Sequence, residues 1–264
     1  MKYSKRYMIC FIICCMLSLF NSNDFTNNSI FAQAETVRAD YNLVELSPTD
    51  GQVRHNTHKK ELTPLDMKQL LPTTAVIIDA GHGGVDGGAI NGTVREKDIN
   101  LDIGKKLYAV LVSRGIPTIL NRTHDYALSD DNRWHRTSSR HLRDLSQRMG
   151  LTREIDHILF VSLHVNSTPS KKAHGPLVLH QPSGESAMLA HHIQEELNSL
   201  YATSKRPIAV KSFYVLKYVK SPAVLVEMGF ISNASDLERM TSNVGQTKIA
   251  ESIAGGILHY LWVN

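Results

Sequence analysis

Four residues of this chain stand where chemistry could be done: His82, Glu96, His164 and Glu227. His82 follows the apolar run Val76-Ile77-Ile78 and lies among Gly81, Gly83, Gly84, Gly87 and Gly88, which permit tight turns and close backbone approach. Glu96 opens a predicted helix, where a carboxylate also suits the positive end of the helix dipole, so its candidacy rests on its place after the His82 loop. His164 closes Leu159-Phe160-Val161-Ser162-Leu163, and Glu227 closes Pro222-Ala223-Val224-Leu225-Val226. Two imidazoles and a carboxylate around a metal, with one coordination position open and a second carboxylate to handle protons, make a catalytic metal site. An ionised Glu227 after a buried run is costly unless it is paired or used. The competing readings are a salt bridge from Glu227 to Arg122 or Arg148, a structural buried His164, and a phosphate-cradling loop around His82. The chain carries no G-x-G-x-x-G or G-K-[ST] pattern to support the last. Asp79 and Asp86 are close enough in sequence to orient a ligand. There are 13 histidines, so histidine by itself means little. The His191-His192 pair, on a predicted helix, reads as surface.

The elements that must position these residues alternate in type. From about residue 74, strands are expected at Ala75–Asp79, Ile116–Leu120, Ile158–Leu163 and Ala223–Glu227, with an edge strand at Pro176–His180 and a further strand at Phe213–Leu216. Helices are expected at Glu96–Arg114, stopped by Gly115, at about His141 to Ile155, at Ser186–Leu200 and at about Val244 to Leu261. Residues Asn121–Arg140 read as a polar loop. This order implies a single α/β domain over residues 74–264, a mostly parallel twisted sheet with helices on both faces. Sites in such sheets lie beyond the carboxyl ends of the strands, which is where His82, His164 and Glu227 fall.

Residues 1–34 have the form of a targeting segment. Lys2, Lys5 and Arg6 precede an apolar run from Tyr7 to Phe20, and Ala32-Gln33-Ala34 is an A-x-A cleavage pattern. A cleaved signal peptide and a retained membrane anchor are both open, so contact with a membrane depends on whether this segment stays. Residues 35–73 read as a polar linker or arm, with one short helix expected over Glu61 to Leu71. Cys10, Cys14 and Cys15 all lie in the first segment, which leaves the rest of the chain without a disulfide or a thiolate ligand. Removing residues 1–34 takes away Lys2, Lys5, Arg6 and Asp24 and moves the net charge from +4 to +2, which argues against nucleic acid as the main partner.

In order along the chain, Ile78-Asp79-Ala80-Gly81-His82-Gly83-Gly84, Asp86-Gly87-Gly88-Ala89, Glu96-Lys97-Asp98, Asn121-Arg122-Thr123, Ser162-Leu163-His164-Val165-Asn166 and Val224-Leu225-Val226-Glu227-Met228-Gly229-Phe230-Ile231-Ser232-Asn233 resemble the zinc-dependent N-acetylmuramoyl-L-alanine amidases of the amidase-3 family. The resemblance covers roughly residues 75–262 and is closest to the CwlD-like, spore-cortex branch. It implies that His82, Glu96 and His164 hold Zn2+, that Glu227 is the catalytic carboxylate, and that Asn166 and Arg122 bind substrate. The implied substrate is peptidoglycan, cut between the lactyl group of N-acetylmuramic acid and L-alanine outside the cytoplasm. Ala80, where many relatives have proline, and the residues flanking Asn166 depart from the family pattern without removing a ligand. Three alternatives stay open: another zinc hydrolase of the wall (a peptidase or deacetylase), a non-catalytic wall-binding module, and an exported structural protein. Also open is an accessory or activator protein that loads the metal or gates the crevice.

Overall fold

The computed structural model describes residues 38–45, 54–61, 74–130 and 137–263. The chain divides into two compact units, Met1–Pro72 and Thr73–Asn264. The expected targeting segment lies outside the described residues. In the first unit, β1 (Arg38–Glu45) and β2 (Arg54–Glu61) pair antiparallel, with Arg38 opposite Glu61 and Glu45 opposite Arg54. A paired ribbon therefore stands in part of the span read as a linker or arm. Glu61, the expected start of a short helix, ends β2, and the rest of that span lies outside the described residues.

The second unit is built on a six-stranded sheet. Its strands are β3 (Thr74–Ala80), β6 (Thr118–Leu120), β7 (His157–Asn166), β8 (Leu177–His180), β9 (Ile208–Ala209) and β10 (Ala223–Phe230), in the order β6-β3-β7-β10-β8-β9. β6, β3, β7 and β10 run parallel; β8 is antiparallel to β10 and parallel to β9. A small antiparallel ribbon, β4 (Ile90–Asn91) and β5 (Val94–Arg95), lies between β3 and the first helix.

Period-two alternation sends successive residues of each strand to opposite faces. Val76 and Ile78, Leu159, Val161, Leu163 and Val165, and Val224, Val226 and Met228 join the larger core. That core is closed by α1 (Glu96–Ser113), α3 (Gly184–Tyr201) and α6 (Asn243–Val263) through Ile103, Leu107, Leu111, Leu189, Ile193, Leu197, Ile249, Ile253 and Ile257. Each such side chain, taken fully from water, contributes roughly 1.5–3 kcal/mol. Ile77, Phe160 and Leu225 point the other way, onto a smaller core with α2 (Arg140–Glu154) and the short α4 (Tyr214–Lys217). The same parity places Asp79, Ser162, His164 and Glu227 on this second face. α1 ends as the sequence predicts: Gly115 lies just past it at φ +76°, a conformation glycine adopts without strain.

Two expected strands are corrected. Phe213–Leu216 is a helical turn: Val215 and Leu216 are neighbours in sequence yet both are buried, which a strand with one covered face does not allow. β8 lies inside the sheet, with Val178, Leu179 and His180 all buried; the edge is β9, two residues long and too short to read from sequence. The sequence reading also missed α5 (Ala234–Thr241), a helix whose Asn233 cap accepts from the N–H groups of Ser235 and Asp236.

Candidate metal centre

The site forms where the parallel strands end. β3 delivers the chain at Ala80, and Gly81 N–H donates to Leu163 O, which carries the β3–β7 ladder one residue past the strand. Only a residue without a Cβ fits there, since a Cβ on Gly81 would stand 2.5 Å from Nε2 of His164. The next residue, His82, is held at φ +61° although it is not glycine. A tight turn follows, closed by reciprocal backbone bonds between Gly83 and Asp86. It brings Asp86 back so that His82 Nδ1 donates to Asp86 Oδ2 at 2.8 Å. A carboxylate accepts only, so Nδ1 carries a proton, and the tautomer that would bind a metal is the one with its lone pair on Nε2.

Glu96 is 4 % exposed at the first turn of α1. Its backbone N–H donates to Ala89 O and that of Lys97 to Gly87 O, so the glycine loop caps the helix. The carboxylate is held by Ala89 N–H on Oε2 (2.7 Å) and Val165 N–H on Oε1 (2.9 Å). Oε1 also stands 3.2 Å from His82 Nε2 and 3.0 Å from His164 Nδ1. Gly88 must be glycine as well: it has φ +64°, and a Cβ there would meet Glu96 Oε2 at 2.6 Å.

One donor atom from each of His82, Glu96 and His164 lies within 4.8 Å of the others. Donor atoms that share a tetrahedral zinc at about 2.1 Å stand about 3.4 Å apart, close to the two spacings from Glu96 Oε1. Two nitrogens and one oxygen also suit that metal. The three residues therefore fit a metal ion. Burial disfavours the charged ring of His82, but its bonds to Asp86 and Glu96 prevail and lift its pKa to about 10. Burial likewise works against the Glu96 carboxylate, and its bonds to the two histidines nevertheless hold it well below the usual range.

Glu227 is the register partner of His164 on the neighbouring parallel strand and lies on the same face of the sheet. Among the described residues its buried Oε2 has no hydrogen-bond partner. Burial, reinforced by the negative charge of Glu96, raises its pKa to about 8, against a smaller lowering by His82. Neither arginine proposed as its salt-bridge partner reaches it. Arg148 pairs with Asp79 at 2.5 Å and with Asp144 at 2.6 Å. Arg122 is 1 % exposed and donates to the carbonyls of Ala80, Gly81, Lys97 and His124. The expectation of a substrate contact at Arg122 is thereby corrected: a guanidinium bound to four backbone carbonyls holds the loop instead. Asn166 stays at the rim, half-buried at the end of β7, its Oδ1 accepting from Ser167 N–H.

A profile of the Amidase_3 family, described as N-acetylmuramoyl-L-alanine amidase, matches residues 76–259. The chain belongs to this family. This amidase is 34% identical over 194 residues to the germination-specific N-acetylmuramoyl-L-alanine amidase of Bacillus subtilis, covering 72% of this chain and 81% of that one. It is 33% identical to the B. subtilis amidase LytC over 70% of this chain and 35% of LytC. Among solved structures, the CwlD amidase of Clostridioides difficile, in complex with the GerS lipoprotein, superposes with a TM-score of 0.68 at 34% identity, covering 73% of this chain and all of that one. The catalytic domain of CwlV from Bacillus (Paenibacillus) polymyxa gives 0.61 at 28% identity, over 73% of this chain and 100% of CwlV. The family and its named relatives establish the activity: hydrolysis of the N-acetylmuramoyl-L-alanine amide of peptidoglycan.

Sequence reasoning missed the residues that hold the loop in place. Lys97, 4 % exposed, ties Gly84 O to Asp125. Asn121 bonds Asp79 and Ala80 N–H, and Ser162 donates to Asp79. A polar residue inside a buried run, such as Ser162, is the one signal that could have found them.

Proposed function

We propose that this chain is a zinc amidase of the spore cortex, in which His82, Glu96 and His164 hold Zn2+ and Glu227 moves the protons. When bound, Zn2+ supplies Lewis acidity toward the scissile carbonyl and toward a water molecule. Asp86 fixes the His82 tautomer, and the two backbone N–H groups on Glu96 orient its carboxylate. Glu227 in its ionised form takes a proton from the attacking water; hydroxide adds to the lactyl carbonyl of N-acetylmuramic acid. As the C–N bond breaks, Glu227 returns the proton to the departing amine of L-alanine. The observation that carries this reading is the unpartnered, buried Oε2 of Glu227 beside the three-residue cluster. A cation in that cluster would offset the Glu96 charge and bring the Glu227 pKa down toward working pH. Asn166, on the rim, is proposed to contact the substrate.

The likeness to the B. subtilis germination-specific amidase supports a cortex role, and by the family resemblance the peptide-free muramic acid would be the precursor of muramic δ-lactam. The CwlD neighbour's complex with a lipoprotein supports an accessory partner. The activity lies outside the cytoplasm, and residues 1–34 are proposed to direct export as a signal or anchor. The experiment is digestion of peptidoglycan by the zinc-loaded protein with mass analysis of the products. Peptides released with a free L-alanine amino terminus, and none after chelation, support the reading. Cleavage elsewhere in the peptide, or loss of acetyl groups, would replace it.

A further inference from the structure

Three consecutive peptide carbonyls lead into and include His82, and two buried arginines hold all three. Ala80 O accepts from Arg122 Nε at 3.0 Å and from Arg148 Nη1 at 2.9 Å. Gly81 O accepts from Arg122 Nη2 at 3.1 Å, joined by Asn100 Nδ2 at 3.2 Å. His82 O accepts from Arg148 Nη2 at 2.8 Å. Arg122 comes from the loop after β6 and Arg148 from α2, so two separate elements converge on one loop. Both are almost wholly buried, at 1 % and 2 % exposure.

For stability alone this is a poor arrangement. Two guanidiniums repel each other beside the buried Asp79 and the largely buried Asp144, and apolar packing of similar volume is often as stable. What it supplies is direction. A guanidinium is a rigid planar fork, and each arm fixes where a carbonyl points. The only non-glycine residues with positive φ among the described residues are His82 and Ala202, and Ala202 sits at an exposed helix end. A strained conformation persists only where its surroundings over-determine it. Here the forks hold the peptide on each side of His82.

We propose that Arg148 and Arg122 are positioning residues that set the direction of the His82 imidazole, so that metal affinity depends on two side chains that touch neither the metal nor the substrate. The inference rests on His82 being a ligand. The test uses the full-length chain and four proteins: the unaltered sequence, His82→Ala, Arg148→Lys and Asp144→Asn. Zn2+ affinity is measured by competition with a chromogenic chelator, and the visible spectrum is recorded with Co2+ in place of Zn2+. Arg148→Lys keeps the charge but loses the fork. It is expected to bind Zn2+ about 10- to 100-fold more weakly with an altered Co2+ band, while near-ultraviolet circular dichroism stays unchanged. Asp144→Asn loosens the hydrogen bond to Arg148 Nε and is expected to weaken Zn2+ binding several-fold. A folded Arg148→Lys with unaltered affinity and spectrum would overturn the proposal. If Arg148→Lys does not fold, an unaltered Asp144→Asn overturns it instead. Failure of the underlying ligand reading has its own signature: the unaltered protein binds no Zn2+, or His82→Ala binds it equally well.

Discussion

Glu96 and Glu227 are the same residue type in one crevice, and their surroundings drive them apart. Glu96 sits where a loop meets a helix, with two backbone N–H groups and two imidazoles around its oxygens, and its pKa lies well below the usual range. Glu227 sits at a strand end with Oε2 unpartnered, and its pKa is raised to about 8. Two carboxylates whose environments separate their pKa values can divide the work between a fixed charge and a proton carrier. Full hydrogen bonding fixes the Glu96 carboxylate, as the proposed ligand role needs; its lack at the Glu227 Oε2 suits the proposed proton carrier.

The sharpest way to break that contrast is to remove the proton carrier and keep its shape. Glu227→Gln should lower kcat about 10³- to 10⁴-fold with zinc content unchanged, read by peptide release and metal analysis together. Zinc lost along with activity would place Glu227 among the ligands and end the division of roles. Next in size, Glu96→Gln should weaken zinc binding by about 10²-fold or more, because the neutral amide replaces an anionic donor and turns an N–H toward its former partners. Equal zinc affinity in a chelator competition would show that Glu96 is only a helix cap.

A third variant probes the packing that makes Glu96 rigid. Gly88→Ala forces a methyl group to within 2.6 Å of Glu96 Oε2 at a backbone angle of φ +64°. It should cost roughly 1–3 kcal/mol in denaturant unfolding and weaken metal binding as well. The smallest effect is a pH slope. In metal-free protein the Glu227 carboxyl has its pKa raised from 4.5 to about 8, so its contribution to stability is intact below 4.5 and is lost as pH rises through about 8. Metal-free Glu227→Gln, which cannot ionise, should therefore melt progressively higher than the unaltered protein across that window, by several degrees at its upper end. A difference that stays flat with pH would mean that the carboxyl titrates normally. The raised pKa of His82 has the same sign but is common to both proteins and cancels.

Much of this was legible because the residues of the proposed site stand at breaks in pattern. The β-branched runs before His82 and His164 and the apolar run before Glu227 have the strand period, and the glycines around His82 have no role in a core. The four-residue steps Ile249, Ile253, Ile257 and Leu261 make α6 plain. Phe213–Leu216 misled because a run of four apolar residues has no resolvable period, and only burial of two neighbours shows a helical turn. β9 and α5 are too short to leave a period. Arg122 was expected to contact substrate only because the family resemblance implied it, and nothing in its local sequence showed that it is buried. Its burial depends on a sheet edge and a helix far from it in sequence.

The sequence by itself determined the alternation of strands and helices, the two faces of each strand, and the set of residues able to bind a metal, because each follows from local side-chain type and period. Tertiary structure decided the rest. Pairing β7 with β10 in parallel register puts His164 beside Glu227, and packing α1 across the end of β7 brings Glu96 to both histidines. Hydrogen bonds to Glu96 and their lack at the Glu227 Oε2 then separate two carboxylates that burial alone would push the same way. Those outcomes depend on desolvation and on donors supplied by distant segments, quantities that no window of sequence contains.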